Sequence, residues 1–241
     1  KFDLIQWHED LRNIAVWSYY QGCNLYGGTK AGDSVAENRP SGWFWFIPLS
    51  DGTVSVGYVT PIEEFKASGK RLEDIFHEEL ALTEQVKSLT EGARRVSAFR
   101  TIKDWSYTCE RVHGPGWALV GDAGYNKDFI TAQGIHDAFR DAELCVTALD
   151  EAFGGTRSFD AAMADYQARR DAQVLPMYEF TTELATLEPP PPELQQLLAA
   201  IAGNQDAMDG FAQVNGGVTS PAEFFSPANV ARIMPVERAL R

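Results

Sequence analysis

Residues 116–143, GWALVGDAGYNKDFITAQGIHDAFRDAE, constrain the fold more than any other part of the chain. Residues 117–120 are a short, wholly apolar run of the kind required by a strand buried on both faces. The run passes directly into Gly121-Asp122-Ala123-Gly124, and from Gly134 the period becomes that of a helix. Ile135, Ala138, Phe139, Ala142, Cys145, Val146, Leu149 and Phe153 form one stripe at helical spacing, which predicts a core-facing helix. Gly154-Gly155 ends it. A buried strand, a glycine turn and a helix together predict a ligand site, because ligands of open α/β sheets bind at the carboxyl ends of strands. Gly121 and Gly124 let a ligand approach the backbone closely. Asp122 offers a carboxylate to sugar or polyol hydroxyls. The free N–H groups near Thr131, Ala132, Gln133 and Gly134, with the positive end of the helix dipole, favour negative charge on a ligand.

The chain before this segment reads mainly as sheet. Residues 13–23 are rich in β-branched and aromatic side chains and predict a strand, while glycines and polar residues predict a loop over 26–39. Residues 43–60 hold two strand-like runs around Ser50-Asp51-Gly52, a hairpin signal. Alternation of Val54, Val56 and Tyr58 with Ser55, Gly57 and Val59 predicts one buried and one more open sheet face. Leu72, Ile75, Phe76, Leu80 and Leu82 predict a helix, with a second around Val86 and Leu89, and residues 94–109 read as strand again. After the central helix, residues 159–187 predict a long helix bent near Pro176, residues 189–192 a stiff proline break, and 194–201 and 222–240 shorter helices. This order predicts a mixed α+β or α/β chain in three parts. They are a β-rich domain over 1–113, a piece of an α/β domain over 114–155, and a helical region over 156–241.

Charge and composition exclude several functions. With 21 Lys and Arg against 34 Asp and Glu, the net charge of −13 opposes binding to nucleic acid or to an anionic membrane surface. No apolar run is long enough to span a membrane. Cys23, Cys109 and Cys145 are scattered and odd in number, and His8, His77, His113 and His136 fall in no HExxH, so neither a disulfide framework nor a metal site is expected. A reducing, cytoplasmic setting follows. The chain opens without a methionine or a signal peptide and reads as cut from something longer.

Two strings carry a resemblance. GWALVGDAG with ITAQGIHDAFRDAE resembles the second FAD fingerprint of the para-hydroxybenzoate hydroxylase-like flavoproteins. The resemblance implies that Asp122 contacts the ribityl chain. It also places Gly121, Ala123, Gly124 and Ile135 among the cofactor-binding residues, with Thr131, Ala132, Gln133 and Gly134 lining the flavin ring, their N–H groups facing the flavin N1 and C2 carbonyl. Where that family usually has Asp-Pro, this chain has Asp128-Phe129. Trp43-Phe44-Trp45-Phe46-Ile47-Pro48 matches WxWxIP, the signature of flavin-dependent halogenases, and the likeness extends over most of residues 11–150.

This second resemblance implies an oxidoreductase that uses externally supplied reduced FAD, dioxygen and chloride or bromide on an electron-rich aromatic or carrier-protein-bound substrate. Its setting would be secondary metabolism, including chlorination in antibiotic biosynthesis. Trp43 and Trp45 would act sterically, keeping the organic substrate off the flavin. A flavin reductase is the implied partner. The family's catalytic lysine and the N-terminal GxGxxG segment have no counterpart in this sequence, and Lys30, Lys66, Lys70, Lys87, Lys103 and Lys127 read as surface lysines. His136, Asp137, Arg140, Asp141 and Glu143 read as helix-surface groups. Trp105 and Tyr107 read either as pocket-facing or as sheet filling. The helix-and-loop string ITAQGIHDAFRDAE leaves a hydroxylating monooxygenase open as an alternative, and the missing GxGxxG leaves a non-catalytic binding fragment open.

Overall fold

A computed structural model describes residues 3–9 and 11–235. The chain is mixed α and β, with antiparallel sheets followed by helices. It divides into two compact units. One is His8–Trp105; the other begins at Ser106 and takes in the short strand β1 (Ile5–Trp7). The sequence reading sets its boundaries after 113 and after 155 instead.

In the first unit, β2 (Asn13–Gln21), β3 (Val35–Arg39), β4 (Gly42–Pro48) and β5 (Thr53–Pro61) form the body of a six-stranded antiparallel sheet in the order β3-β4-β5-β2. The hairpin turn predicted at Asp51-Gly52 is present: Gly52 has φ +81° and Asp51 Oδ1 accepts the Thr53 N–H at 2.9 Å. Helices α1 (Ile62–Ser68), α2 (Leu72–Ala81) and α3 (Gln85–Thr90) follow. Ile75 and Phe76 of α2 and Val86 and Leu89 of α3 join Val16, Tyr20, Phe44, Phe46, Val54, Val56 and Tyr58 in one core. Leu82 lies just past α2 and is exposed, contrary to its reading as a core residue.

Two other readings are corrected here. Residues 35–39, expected as loop, are β3: Val35, Glu37 and Arg39 alternate inward against β4, and both Glu37 carboxylate oxygens accept N–H groups at the start of α3. Residues 94–109 are not one strand but β6 (Arg94–Arg95) and β7 (Arg100–Lys103), both on β2, then β8 (Tyr107–Cys109) in the second unit. The Ser18 and Ser97 hydroxyls bond to each other at 2.9 Å where the ladder is interrupted.

In the second unit, β1, β8 and β11 (Tyr125–Asn126) form a small antiparallel sheet, and β9 (His113–Gly114) pairs with β10 (Trp117–Ala118). The run 117–120 is therefore not a strand buried on both faces. Trp117 and Ala118 are half-buried in a two-residue hairpin and Val120 is exposed, because no parallel neighbour flanks them among the described residues. Helix α4 (Gly134–Phe153) packs on α5 (Phe159–Ala185), which carries Pro176 inside it. Then α6 (Pro192–Ala202), α7 (Gln205–Asn215), α8 (Pro221–Phe224) and α9 (Pro227–Ile233) close a separate apolar cluster with Met177. The last six positions of the sequence, including 236–240 of the predicted helix, lie outside the described residues.

Candidate functional site

The turn after β10 is a 3-10 segment, Gly121–Ala123. Gly121 has φ +55°, and a Cβ there would stand 2.9 Å from the Ala138 Cβ of α4, so only glycine lets the turn lie against the helix. A second 3-10 segment, Phe129–Thr131, is capped by Asp128, whose Oδ1 accepts the Ile130 N–H at 3.1 Å. Ala132 then takes φ +54°, a left-handed conformation unusual for a residue with a side chain. The chain enters α4 at Gly134, and the first bond of the helix is donated by Asp137 N–H to the Gln133 carbonyl at 2.9 Å. The Gly134, Ile135 and His136 N–H groups precede that first bond and have no acceptor within the helix; the Ala132 N–H, expected to face a ligand, is instead donated to the Phe129 carbonyl at 2.9 Å.

Asp122, Lys127, Ala132, Gln133, Gly134 and Ile135 are among the residues lining a cavity of about 240 Å3 at this helix start. Burial, with a smaller contribution from the Asp137 charge, raises the Asp122 carboxyl above its ordinary range. The Tyr107 hydroxyl donates to the Asp122 carbonyl and fixes the backbone of the turn. A whole drug-sized ligand needs roughly 300–1,000 Å3. The cavity accordingly fits one portion of a flavin, with the Asp122 carboxylate for ribityl hydroxyls and helix N–H groups for the electron-rich edge of the ring.

Beneath the loop lies a buried ionic network. Lys127 and Asp137 are each 5% exposed and pair directly; Arg140 Nη1 also donates to Asp137 at 2.8 Å. Arg140 Nη2 donates to Asp141 at 2.8 Å and to the Tyr125 hydroxyl at 2.9 Å. Asp141, fully buried, accepts the Gly121 N–H at 3.2 Å and Arg170 Nε at 3.4 Å. The Arg170 guanidinium stacks over the Tyr125 ring at 4.6 Å. Burial alone raises the Asp137 carboxyl, but the Lys127 hydrogen bond and charge, with Tyr125 and Arg140, more than reverse this and leave it below the ordinary carboxylate range. Burial lowers the Lys127 ammonium, and Asp137 only partly restores it.

These contacts correct several sequence-based expectations. Lys127 is buried rather than a surface lysine, and Asp137 and Asp141 are core groups rather than a solvated face. The α4 stripe holds only in part: Cys145 is buried and Leu149 packs against the core as expected, but Asp137, Asp141 and Ala148 share the inward face, whereas Ile135, Phe139, Val146 and Phe153 are 64–80% exposed. The inward set also repeats at helical spacing, which is the signal that could have revealed it. Gln133 lines the cavity, but its side chain turns away into the helical region and donates to the Asn215 carbonyl at 2.7 Å. The buried Thr131 hydroxyl bonds to Thr181 of α5 at 3.1 Å. Gly121, Ala123 and Gly124 shape the turn without lining the cavity. Among the described residues, no cluster of three metal-ligating side chains occurs, and no helix is long and apolar enough to cross a membrane.

Trp43, Trp45, Ile47 and Pro48 belong to the other unit, on β4. Phe44 and Phe46 enter the core under the helices, so Trp43, Trp45 and Ile47 stand on the opposite face of the sheet. Trp43 is buried, Trp45 half-buried and Ile47 exposed. The Trp45 and Trp43 rings lie 5.9 Å apart, Trp17 adds a third indole 6.3 Å from Trp45, and Trp45 Nε1 donates to Ser55 Oγ at 3.0 Å. Gly57 makes room: a Cβ there would stand 2.1 Å from the Trp45 ring. Trp105 is buried.

No family model matches the chain. It is 33% identical over 159 residues to the tryptophan 2-halogenase of Chondromyces crocatus, a match covering 65% of this chain and 30% of that protein. In structure it is similar to the myxobacterial chondrochloren halogenase, with a TM-score of 0.68, 26% identity, and 73% of this chain and 41% of that chain covered. A flavin-dependent brominase shares the fold over 95% of this chain and 56% of its own, with a TM-score of 0.75 at 19% identity. The chain thus spans about a third of the length of the curated relatives it matches. Those relatives are flavin-dependent halogenases, and the structural neighbours are FAD-dependent halogenases and monooxygenases.

Proposed function

We propose that this chain is part of a flavin-dependent halogenase and contributes the ribityl-side wall of the flavin site and an aromatic substrate face. The observation that carries the reading is the 33% identity over 159 residues to a protein named as a halogenase. The cavity at the start of α4 and the WxWxIP string support it. On this reading residues 1–113 hold the substrate, 114–155 hold the flavin, and the helices of 156–241 brace the flavin loop through Gln133 and Thr131.

Reduced FAD with dioxygen supplies the oxidising equivalent that converts chloride or bromide to an electrophilic halogen. The chain's own residues bind and orient. The Asp122 carboxylate accepts ribityl hydroxyls, and Gly121 and Gly124 keep the turn close. The N–H groups of Gly134 and Ile135 stabilise negative charge on the ring edge. Trp43 and Trp45, with Ile47 and Pro48 at the strand end, supply the aromatic bulk to which the WxWxIP resemblance assigns the steric role of keeping an organic substrate off the flavin. A flavin reductase supplies the reduced cofactor, and a reducing cytoplasm fits the three free thiols.

The test is a titration of the purified chain with FAD followed by flavin fluorescence, then turnover with reduced FAD in chloride and in bromide. Saturable binding lost in Asp122→Ala, and turnover that requires halide, are the expected results. Halide-independent turnover that places oxygen-18 from dioxygen in the product would instead establish hydroxylation. That second reading is motivated by the loop and helix string ITAQGIHDAFRDAE.

A further inference from the structure

The open face of the first unit's sheet has a defined chemical pattern. Its strand pairing aligns Arg100 of β7, Trp17 of β2, Gly57 of β5 and Trp45 of β4 in one row across the sheet. Side chains of directly paired residues share a face, and neighbours two along do so as well. Next to this row lie Tyr19, Ser55 and Ile47 on one side, and Ile102, Ala15, Val59 and Trp43 on the other.

The result is a floor of half-buried rings, Trp17, Tyr19 and Trp45, with Trp43 buried beside them. At its rim stands the Arg100 guanidinium, 5.5 Å over the Tyr19 ring, exposed and in no ion pair among the described residues. None of these residues is acidic, in a chain with 34 carboxylates. Arg12, Arg39, Arg140, Arg157 and Arg170 all pair with carboxylates, whereas Arg100, like Arg95 over Phe99 and Arg111 over Trp117, stands over a ring without an ion pair among the described residues; of these three only Arg100 belongs to the open face that carries Trp17 and Trp45.

We infer that this face binds a planar aromatic carboxylate, with its ring held against the Trp17 and Trp45 indoles, which are tilted 46° to each other, and its carboxylate taken by Arg100. The rings supply flat, polarisable area for an aromatic ligand. The guanidinium fork matches the two carboxylate oxygens, and no carboxylate of the face competes for it. A cationic ligand could use the ring faces but would meet repulsion at Arg100, and a neutral one would leave the guanidinium unused. The inference deepens the proposed function by selecting a free aromatic acid over a carrier-bound thioester, and it rests on that reading only for the reaction that follows binding.

The binding step is testable without flavin or halide. Salicylate and its neutral analogue salicylamide would be titrated into the full chain by calorimetry, with indole N–H shifts recorded by NMR. Salicylate should bind about fivefold or more tightly than salicylamide at low salt, and the difference should fall as salt screens the exposed guanidinium. Arg100→Gln should abolish the preference and leave salicylamide binding unchanged. Arg95→Gln removes an exposed cation that sits over Phe99 on the helix side of the sheet, and should change neither. Equal affinity for the two compounds, an unaffected preference in Arg100→Gln, or an equal loss in Arg95→Gln would overturn the inference. Halide-dependent turnover of another substrate without salicylate preference leaves the proposed function standing while removing this one. Salicylate preference without halide-dependent turnover does the reverse.

Discussion

Asp137→Asn is the sharpest perturbation of the ionic network beneath the loop at the start of α4. Asp137 is the only carboxylate in direct contact with Lys127 among the described residues, and both side chains are 5% exposed. Neutralising it strands an ammonium in a buried site, a change that typically costs about 3–5 kcal/mol. Lys127→Met is a smaller insult, because Asp137 keeps its 2.8 Å bond from Arg140; about 1–2 kcal/mol is expected. The double variant removes the stranded ammonium altogether, so it should be more stable than Asp137→Asn alone, which requires the coupling between the two sites to exceed the cost of Lys127→Met itself. Urea unfolding at neutral pH, followed by circular dichroism, gives all three values. The pH dependence follows from the sign of the shift. Asp137 lies below its unfolded value of about 3.9, so its contribution is present above that pH and is lost as pH falls through the folded value. The penalty of Asp137→Asn should therefore shrink in acid. If the double variant is no more stable than Asp137→Asn, or if Lys127→Met costs more than Asp137→Asn, the network does not work as a compensated buried pair.

Three further outcomes are expected. Gly57→Ala places a methyl 2.1 Å from the Trp45 ring and should destabilise by about 1–3 kcal/mol, with a red-shifted tryptophan emission as the indole is pushed outward. Ala132→Val forces a β-branched side chain into φ +54° and should cost about 1–3 kcal/mol in thermal or urea unfolding. Ala132→Gly should change stability by less than about 1 kcal/mol, relief of strain offsetting the greater freedom of the unfolded chain. Replacing Phe139 and Val146 together by serine removes two large apolar groups that are 74% and 64% exposed, so binding of a hydrophobic dye should fall with little loss of stability.

The strand and helix succession was legible because it rests on local chemistry. Asp51-Gly52 closes a hairpin whatever surrounds it, and the apolar spacing of α2 and α3 finds the sheet directly above. Where reading failed, the missing information was tertiary. The glycines and polar residues of 26–39 hide a strand because β3 is held from outside, by the ladder to β4 and by Glu37 capping α3. Residues 117–120 look like a buried strand because apolarity records what a segment can tolerate on its flanks, not whether neighbours are present. Helix α4 makes the same point at the site. Its sequence has two stripes at helical spacing, one apolar and one built on Asp137 and Asp141, and hydrophobicity alone selects the first. The fold buries the second because Lys127, Arg140 and Arg170 arrive from the loop, the helix itself and α5 to compensate both carboxylates. Those carboxylates are also what hold the glycine turn, through Gly121 N–H on Asp141. Acids on the inner face of α4 beside the glycine turn thus support the loop. The same network explains how the loop keeps a defined path with Phe129 following Asp128: the Asp128 cap, the Lys127 pair and the Gln133 bond each restrain a separate backbone segment of it.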